Sequence, residues 1–402
     1  LKVIHVTASY KPAYIYGGPI QSVGKLCEAL AADHKHPIHL EVFTTTANGA
    51  AELAVETQQP QVVDGVQVTY FKRWTKDHSH FSPGLLLRLR KVLKQAQQND
   101  EQLIIHIHAW WNLVSVLGCL IAKWYNFQVV LSPRGMLTRY SQHNRHSFAK
   151  RFIHSIMGRH LLSYCHIHAT SLQEKADILQ IIRHKSITVI PNLINLAPAT
   201  HQPQPISTGS TLNLIFLSRI EEKKGLDLLF DALARLNFSW HLTIVGSGSA
   251  NYVKNLKDRA NDLKIDDQIK WYGQVSDQDK FELMSAHDVL VLTSYNENFA
   301  NVVLESLSVG TAVLISDQVG LADYVEDKDL GWICRLTVND IVNKLISSND
   351  QNKRERIRLT APDLVRQDFN AALLARRYLE MYKEAMRCEV DQTGIVGDYN
   401  NE

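Results

Sequence analysis

Short runs rich in β-branched residues alternate with longer helical patterns along almost the whole chain, and this alternation restricts the fold more than any other feature. Parallel strands need crossovers, usually helices, so the pattern describes parallel sheets covered by helices on both faces. Strand-like runs fall at 3–7, 38–44, 103–108, 128–132, 166–170 and 187–190, then at 212–217, 241–245, 269–272, 289–293 and 312–316. Between the two sets, LINLAPATHQPQPISTGS at 193–210 carries Pro198, Pro203, Pro205 and Gly209 without helical periodicity, which reads as a linker. The expectation is an α/β protein of two Rossmann-like domains, 1–192 and 211–369, and 402 residues suits two cores better than one. A strong helical stripe at 370–386 either closes the second domain or crosses back to the first. The polar, aperiodic stretch at 387–402 is expected to be a mobile tail.

Several function classes are disfavoured early. The five cysteines, Cys27, Cys119, Cys165, Cys334 and Cys388, are scattered and form no C-x-x-C, which suits a reduced, cytoplasmic chain with no zinc site. The opening LKVIHVTASY has no cationic stretch before a long apolar run, so it does not read as a signal peptide. A net charge of +2 gives no sign of a nucleic-acid partner, but it is a cancellation: residues 1–192 hold 21 Lys and Arg against 11 Asp and Glu, and residues 193–402 hold 22 against 30.

Three constellations can carry chemistry. Gly17-Gly18 follow the first strand and precede a helix pattern, so they serve either as plain turn chemistry or as a close approach for an anion at a helix N-terminus. Arg219 and Lys224 stand five apart after the first strand of the second domain, which suits a diphosphate, although Glu221 and Glu222 could simply pair with them. Gly246-Ser247-Gly248 makes another turn after the next strand. In SYNENFANVVLES, Glu297 lies in a loop and Glu305 about two helical turns further on. Carboxylates there would repel phosphate, so they suit sugar hydroxyls, with the amides of Asn298, Phe299 and Ala300 left for the anion. The plainer alternative makes Glu297 a cap and Glu305 an exposed helix residue. Asp277-x-Asp279 looks like a metal-binding pair but is better explained as helix capping, and His78 with His80 lacks further ligands.

Taken in order, Arg219-x-x-x-x-Lys224-Gly225, Gly246-Ser247-Gly248, Gly273 with Glu282, and Glu297-Asn-Phe-Ala with Glu305 resemble the donor domain of family-four GT-B retaining glycosyltransferases. Gly17-Gly18, His106-x-His108, HATS at 168–171 and IPN at 190–192 match the first half of that family. The resemblance implies two Rossmann-like domains facing a cleft, with the terminal helix returning to the first. It implies that Arg219 and Lys224 neutralise the leaving nucleoside diphosphate, Glu305 holds the ribose, Glu297 the donor sugar, Gly273 and Val275 the base, and His108 lies near the sugar or acceptor. Gly17, Gly18 and Gly246 belong to the same donor site. Preorganised cations and amides would then stabilise the departing diphosphate, with no metal or other cofactor. Ala300 departs from the family, which usually has glycine at that position.

No carboxylate occurs between Glu101 and Glu174, while Arg134, Arg139, Arg145, Lys150 and Arg151 all fall there. The segment 81–95 adds a basic amphipathic helix with Arg88, Arg90 and Lys91. That helix can simply pack on its own sheet, but the segment as a whole points to an anionic partner, a membrane surface or a lipid-diphosphate acceptor. The expectation is therefore a retaining hexosyltransferase that moves a sugar from a UDP- or GDP-sugar to a glycan or lipid-linked acceptor in surface-polysaccharide or lipopolysaccharide assembly. It would be cytoplasmic and peripheral at the inner face of the plasma membrane. A GT-B nucleotide-sugar epimerase and a non-catalytic nucleotide-sugar-binding protein are the alternatives.

Overall fold

A computed structural model describes residues 1–138, 158–182, 186–201 and 211–387. The chain divides into two compact units, 1–193 together with 371–402, and 194–370.

Unit 1 is built on one large sheet, with a separate two-stranded antiparallel ribbon of Ala47–Asn48 and Ala51–Glu52. The strands of the large sheet are β1 (Lys2–Thr7), β2 (His39–Thr45), β3 (Pro60–Val63), β4 (Val66–Phe71), β5 (Leu103–His108), β6 (Val129–Ser132), β7 (His166–Ala169) and β8 (Ile187–Val189), in the order β8-β7-β6-β5-β1-β2-β4-β3. All neighbours are parallel except the β3–β4 hairpin at the edge. The alternation of strands and helices did not expose that hairpin, yet Asp64-Gly65 sits between its two strands with both residues at positive φ. An Asp-Gly pair between apolar runs is a strong hairpin signal, because such turns require positive φ at two successive residues. The parallel strands are buried along almost their whole length because helices cover the sheet.

The basic amphipathic helix is α1 (Pro83–Gln98). It buries Leu85, Leu86, Leu89, Val92, Leu93 and Ala96 in the core of unit 1 and leaves Arg88, Arg90, Lys91 and Lys94 exposed. Its apolar stripe is thus used in packing on its own domain, and only the cationic face remains for a partner.

Unit 2 carries β9 (Leu212–Leu217), β10 (Trp240–Val245), β11 (Ile269–Gly273), β12 (Val289–Leu292), β13 (Ala312–Ser316) and β14 (Gly331–Cys334), in the order β11-β10-β9-β12-β13-β14 with every pair parallel. This is the doubly wound order whose direction reverses beside the first strand, and ligands in such sheets bind outside the carboxyl ends of the strands at that reversal. The short β14, only Gly-Trp-Ile-Cys, escaped the sequence reading.

The final described helix, α2 (Ala371–Arg387), follows the whole of unit 2 in sequence but packs in unit 1, where it buries Leu374, Ala375, Tyr378, Leu379, Met381, Tyr382 and Ala385. Residues 202–210 of the expected linker lie outside the described residues, as does 388–402 of the expected tail.

Candidate active site

In unit 2, four loops converge because their strands end at the same edge of one sheet. After β9 the chain passes through Arg219 into a short turn at Glu222–Lys224. The Arg219 guanidinium is exposed and pairs with Glu221 at 2.8 Å. Lys224 is buried and its ammonium donates to Oε1 of Glu297, from the loop after β12. The glycine turn after β10 is pressed against this segment. A Cβ on Gly246, at φ +139°, would stand 1.9 Å from the Ser218 carbonyl oxygen, so only glycine lets the two backbones approach. The turn is tied in turn to the end of β11, where the Gly246 amide donates to Gly273 at 2.8 Å and the Gln274 side chain donates to Ser247 at 2.9 Å. Val275, two residues beyond Gly273, is half-buried.

The loop after β12 holds the two carboxylates. Glu297 is fixed by its backbone, with its amide donating to Gln318 and its carbonyl accepting from Gly320, both at 2.9 Å. Phe299 buries its ring edge-on against Phe369. Ala300 then starts the helix Asn301–Ser308 at φ +64° and ψ 73°, a left-handed conformation that costs an L-residue roughly 1–2 kcal/mol. A glycine in this place would have no such cost, so the alanine is a strained substitution at the mouth of a helix N-terminus.

Glu305 is buried on that helix, which rules out the exposed-residue alternative. Its Oε1 accepts from Lys280 Nζ at 3.0 Å, with both side chains 6% exposed. Sequence reasoning missed Lys280. It lies in the helix Asp277–Ser285, where Ser276 caps the first turn by accepting from the Asp279 amide at 3.2 Å. Asp279 is thus engaged in a cap, and its oxygen also accepts from the Ser276 hydroxyl at 2.7 Å.

In unit 1, Gly17 at φ +70° turns the chain from a short helical turn into the helix Gly18–Ala31, and nothing lies within 4 Å of where its Cβ would be. The backbone conformation, not crowding, is what calls for glycine there. His108 ends β5 and is buried in a group of polar rings. Its Nε2 is 2.9 Å from His5 Nδ1, and its Nδ1 is 3.4 Å from the Arg134 guanidinium. His5 Nε2 lies 3.4 Å from the Tyr382 hydroxyl, which is 2.8 Å from His106 Nδ1. His106 Nε2 is 2.7 Å from Ser132 Oγ, which is 2.6 Å from His168 Nδ1. Burial first, and then the nearby Arg134 charge, hold His5 and His168 down at about 3, and burial holds His106 and His108 well below the ordinary imidazole value. These rings are neutral at pH 7. His5, His106 and His108 are close enough to gather around a metal ion, but each would have to surrender bonds it already makes inside the group. His80, the other histidine of interest, is buried against Arg73 at 3.4 Å.

The cations expected at the acceptor side are not one set. Arg88, Arg90 and Lys91 are exposed on α1, with Arg90 donating to the Tyr125 hydroxyl at 3.2 Å. Arg134 is turned inward instead. Its guanidinium donates to Ser22 Oγ at 3.1 Å and to the Asn192 side-chain oxygen, and it faces His108, so it belongs with the histidine group and not with a surface patch. Arg139, Arg145, Lys150 and Arg151 lie outside the described residues.

Two family profiles match consecutive parts of the chain: "Glycosyltransferase Family 4" over residues 16–198 and "Glycosyl transferases group 1" over residues 200–363. Glycogen synthase of Mycobacterium tuberculosis is 23% identical over 420 aligned positions, covering 97% of this chain and 96% of that one. Among solved structures, Anabaena Alr3699/HepE in complex with UDP superposes with a TM-score of 0.71 at 19% identity, covering 96% of this chain and 100% of that one. The apo form of the lipopolysaccharide outer core galactosyltransferase WaaB gives 0.67 at 17% identity, with 97% and 100% covered.

Proposed function

The chain belongs to the group 1, family-four glycosyltransferases, with the GT-B fold and a nucleotide-sugar donor, and from that premise we propose that it transfers a hexose with retention from a UDP- or GDP-sugar to a glycan or lipid-linked acceptor in cell-surface polysaccharide or lipopolysaccharide assembly. The observation that carries this reading is the pairing of both carboxylates with lysines at one sheet edge, Glu297 with Lys224 and Glu305 with Lys280. Lysine partners hold the two carboxylates in place, which suits acceptance of hydroxyl hydrogens from ribose and sugar. An incoming diphosphate would compete for Lys224 and recruit exposed Arg219, so negative charge building on the leaving group meets cations already in place. Gly246, Gly273 and Val275 would line the nucleotide, and Asn298, Phe299 and Ala300 would offer amides beside it. No metal is needed in this scheme. UDP is favoured as the carrier by the likeness to a fold relative solved with UDP.

The reading includes peripheral attachment to an anionic membrane face. Support comes from the exposed Arg88, Arg90, Lys91 and Lys94 of α1, and from Trp124, 80% exposed beside Lys123 and Tyr125. Exposed aromatic rings and surface cations both suit a headgroup interface. Among the described residues, no helix is long and apolar enough to cross a membrane. Vesicle association should rise with the anionic lipid fraction and fall with salt. Equal binding to neutral and anionic vesicles would remove the membrane part alone.

The deciding experiment is product analysis with labelled donors after a thermal-shift panel of UDP, GDP, ADP and their sugars. Transfer or slow donor hydrolysis releases free diphosphate. An epimerase would conserve it on the sugar, and a pure binder would leave the donor untouched.

A further inference from the structure

We propose that His108 is fixed as a neutral hydrogen-bond acceptor at Nδ1 by a one-way chain of hydrogen bonds through the core of unit 1, with Tyr382 as a positioning residue; the proposal rests on the reading that His108 faces a substrate. The chain runs Arg134, His108, His5, Tyr382, His106, Ser132, His168 and then the backbone of Ile190, whose carbonyl oxygen is 2.9 Å from His168 Nε2.

Each interior member can be written in either direction, because a neutral imidazole or a hydroxyl both donates and accepts. The two ends cannot. A guanidinium only donates, so His108 Nδ1 must accept. A carbonyl only accepts, so His168 Nε2 must carry the hydrogen. Starting from Arg134, His108 Nε2–H donates to His5 Nδ1, His5 Nε2–H to Tyr382, and Tyr382 to His106 Nδ1. Then His106 Nε2–H donates to Ser132, and Ser132 to His168 Nδ1, leaving His168 Nε2–H for Ile190. The assignment made from one end therefore arrives correctly at the other, with all four rings carrying hydrogen on Nε2 alone. Reversal would aim His108 Nδ1–H at a guanidinium and His168 at a carbonyl it could not bond.

The chain positions and does not conduct. A proton taken up at His108 Nδ1 has no exit among the described residues, because Ile190 cannot pass one on and the other hydrogen-bond neighbour of His168 Nε2 there is the buried Tyr378 hydroxyl at 3.2 Å. The substrate group that His108 meets must bring its own hydrogen, so the chemistry favoured there is a hydroxyl and not a carboxylate or phosphate oxygen. The 3.4 Å contact from Arg134 is long for a hydrogen bond, and a hydroxyl can take its place at the same lone pair.

Neutron diffraction from perdeuterated crystals of the full chain at pH 7 reads the ring hydrogens directly. Deuterium at Nε2 and not at Nδ1 of His5, His106, His108 and His168 is expected, and deuterium on Nδ1 of His5, His106 or His108 would overturn the proposal. Tyr382→Phe keeps the ring that packs in the core and removes only the hydroxyl between His5 and His106. In that variant Arg134 should still hold deuterium on Nε2 of His108, and in Arg134→Met alone Tyr382 should hold it there from the Ile190 end. Only with both changes should the deuterium divide between the two nitrogens of His5 and His108, and an unchanged His108 in the double variant would strip Tyr382 of its role. Activity separates this from the site reading: with the four tautomers as stated, a His108→Gln enzyme retaining full kcat would leave the chain standing and remove His108 from the reacting sugar.

Discussion

The histidine group of unit 1 and the sheet-edge loops of unit 2 bury polar groups in opposite ways. The histidine group is a neutral set, four histidines with Ser132, Tyr378 and Tyr382, joined by hydrogen bonds between atoms that can each give or take. Unit 2 buries charges in opposed pairs, Lys224 with Glu297 and Lys280 with Glu305. A neutral network holds geometry and direction at little cost in desolvation, but acid disrupts it. Charge pairs cost more to bury, and a competing charge such as a diphosphate can rearrange them. The difference matches the work proposed for each: unit 1 holds one ring still, and unit 2 has to receive and release a highly charged group.

The largest effect that would break this comparison is acid. His5 and His168 are held at about 3, against an ordinary value of 6.5 that applies once the chain unfolds. Below about 6.5 the unfolded chain binds protons that the folded one refuses, so stability is complete above that pH and is lost as pH falls toward 3. Each such ring costs about 1.4 kcal/mol per pH unit in that window, and His106 and His108 act in the same direction. Hydrogen exchange read by peptide should show β1, β5 and β7 losing protection on mild acidification before β9 and β12. Simultaneous loss in both units would end the distinction.

Next in size is the charge pair itself. Lys280→Ala removes the cation paired with buried Glu305, and should cost about 3–5 kcal/mol in urea unfolding. Replacing both partners, Lys280→Met with Glu305→Leu, should restore most of that loss. If the single and double variants lose equally, the pair is not what matters. Smaller again, Glu305→Ala should weaken nucleotide binding by about 1–3 kcal/mol in calorimetry, and unchanged affinity would take Glu305 out of the site. The smallest effect has the opposite sign: Ala300→Gly should stabilise unit 2 by about 1 kcal/mol, because the left-handed backbone no longer crowds a Cβ. A destabilised Ala300→Gly would show that the entropy of the added glycine outweighs the strain.

The sheets were legible because parallel strands buried on both faces read as apolar runs. The elements missed were those without that signature: the edge hairpin around Asp64-Gly65 and the four-residue Gly331–Cys334. In the site, Arg219, Lys224, Glu297 and Glu305 stood out through spacing, but the ion pairing of Lys224 with Glu297 did not, because residues 73 apart meet only through the sheet. Lys280 carried no local signal, since a lysine in a polar helix reads as solvated until the neighbouring helix is in place. The histidine chain did leave a trace. His5, His106, His108 and His168 interrupt otherwise apolar strands, and β1 sets His5 beside His106 in register. Imidazoles inside a buried parallel sheet have to find hydrogen-bond partners there, which those positions in the sequence already imply.

The order in which the chain leaves the ribosome gives α2 a further consequence. Residues 1–193 emerge first, yet the hydroxyls of Tyr378 and Tyr382 that complete their core are translated only after all of unit 2. Residues 194–370 can therefore fold before unit 1 is complete, and residues 1–193 must wait, with His5 and His106 still lacking Tyr382, until α2 arrives.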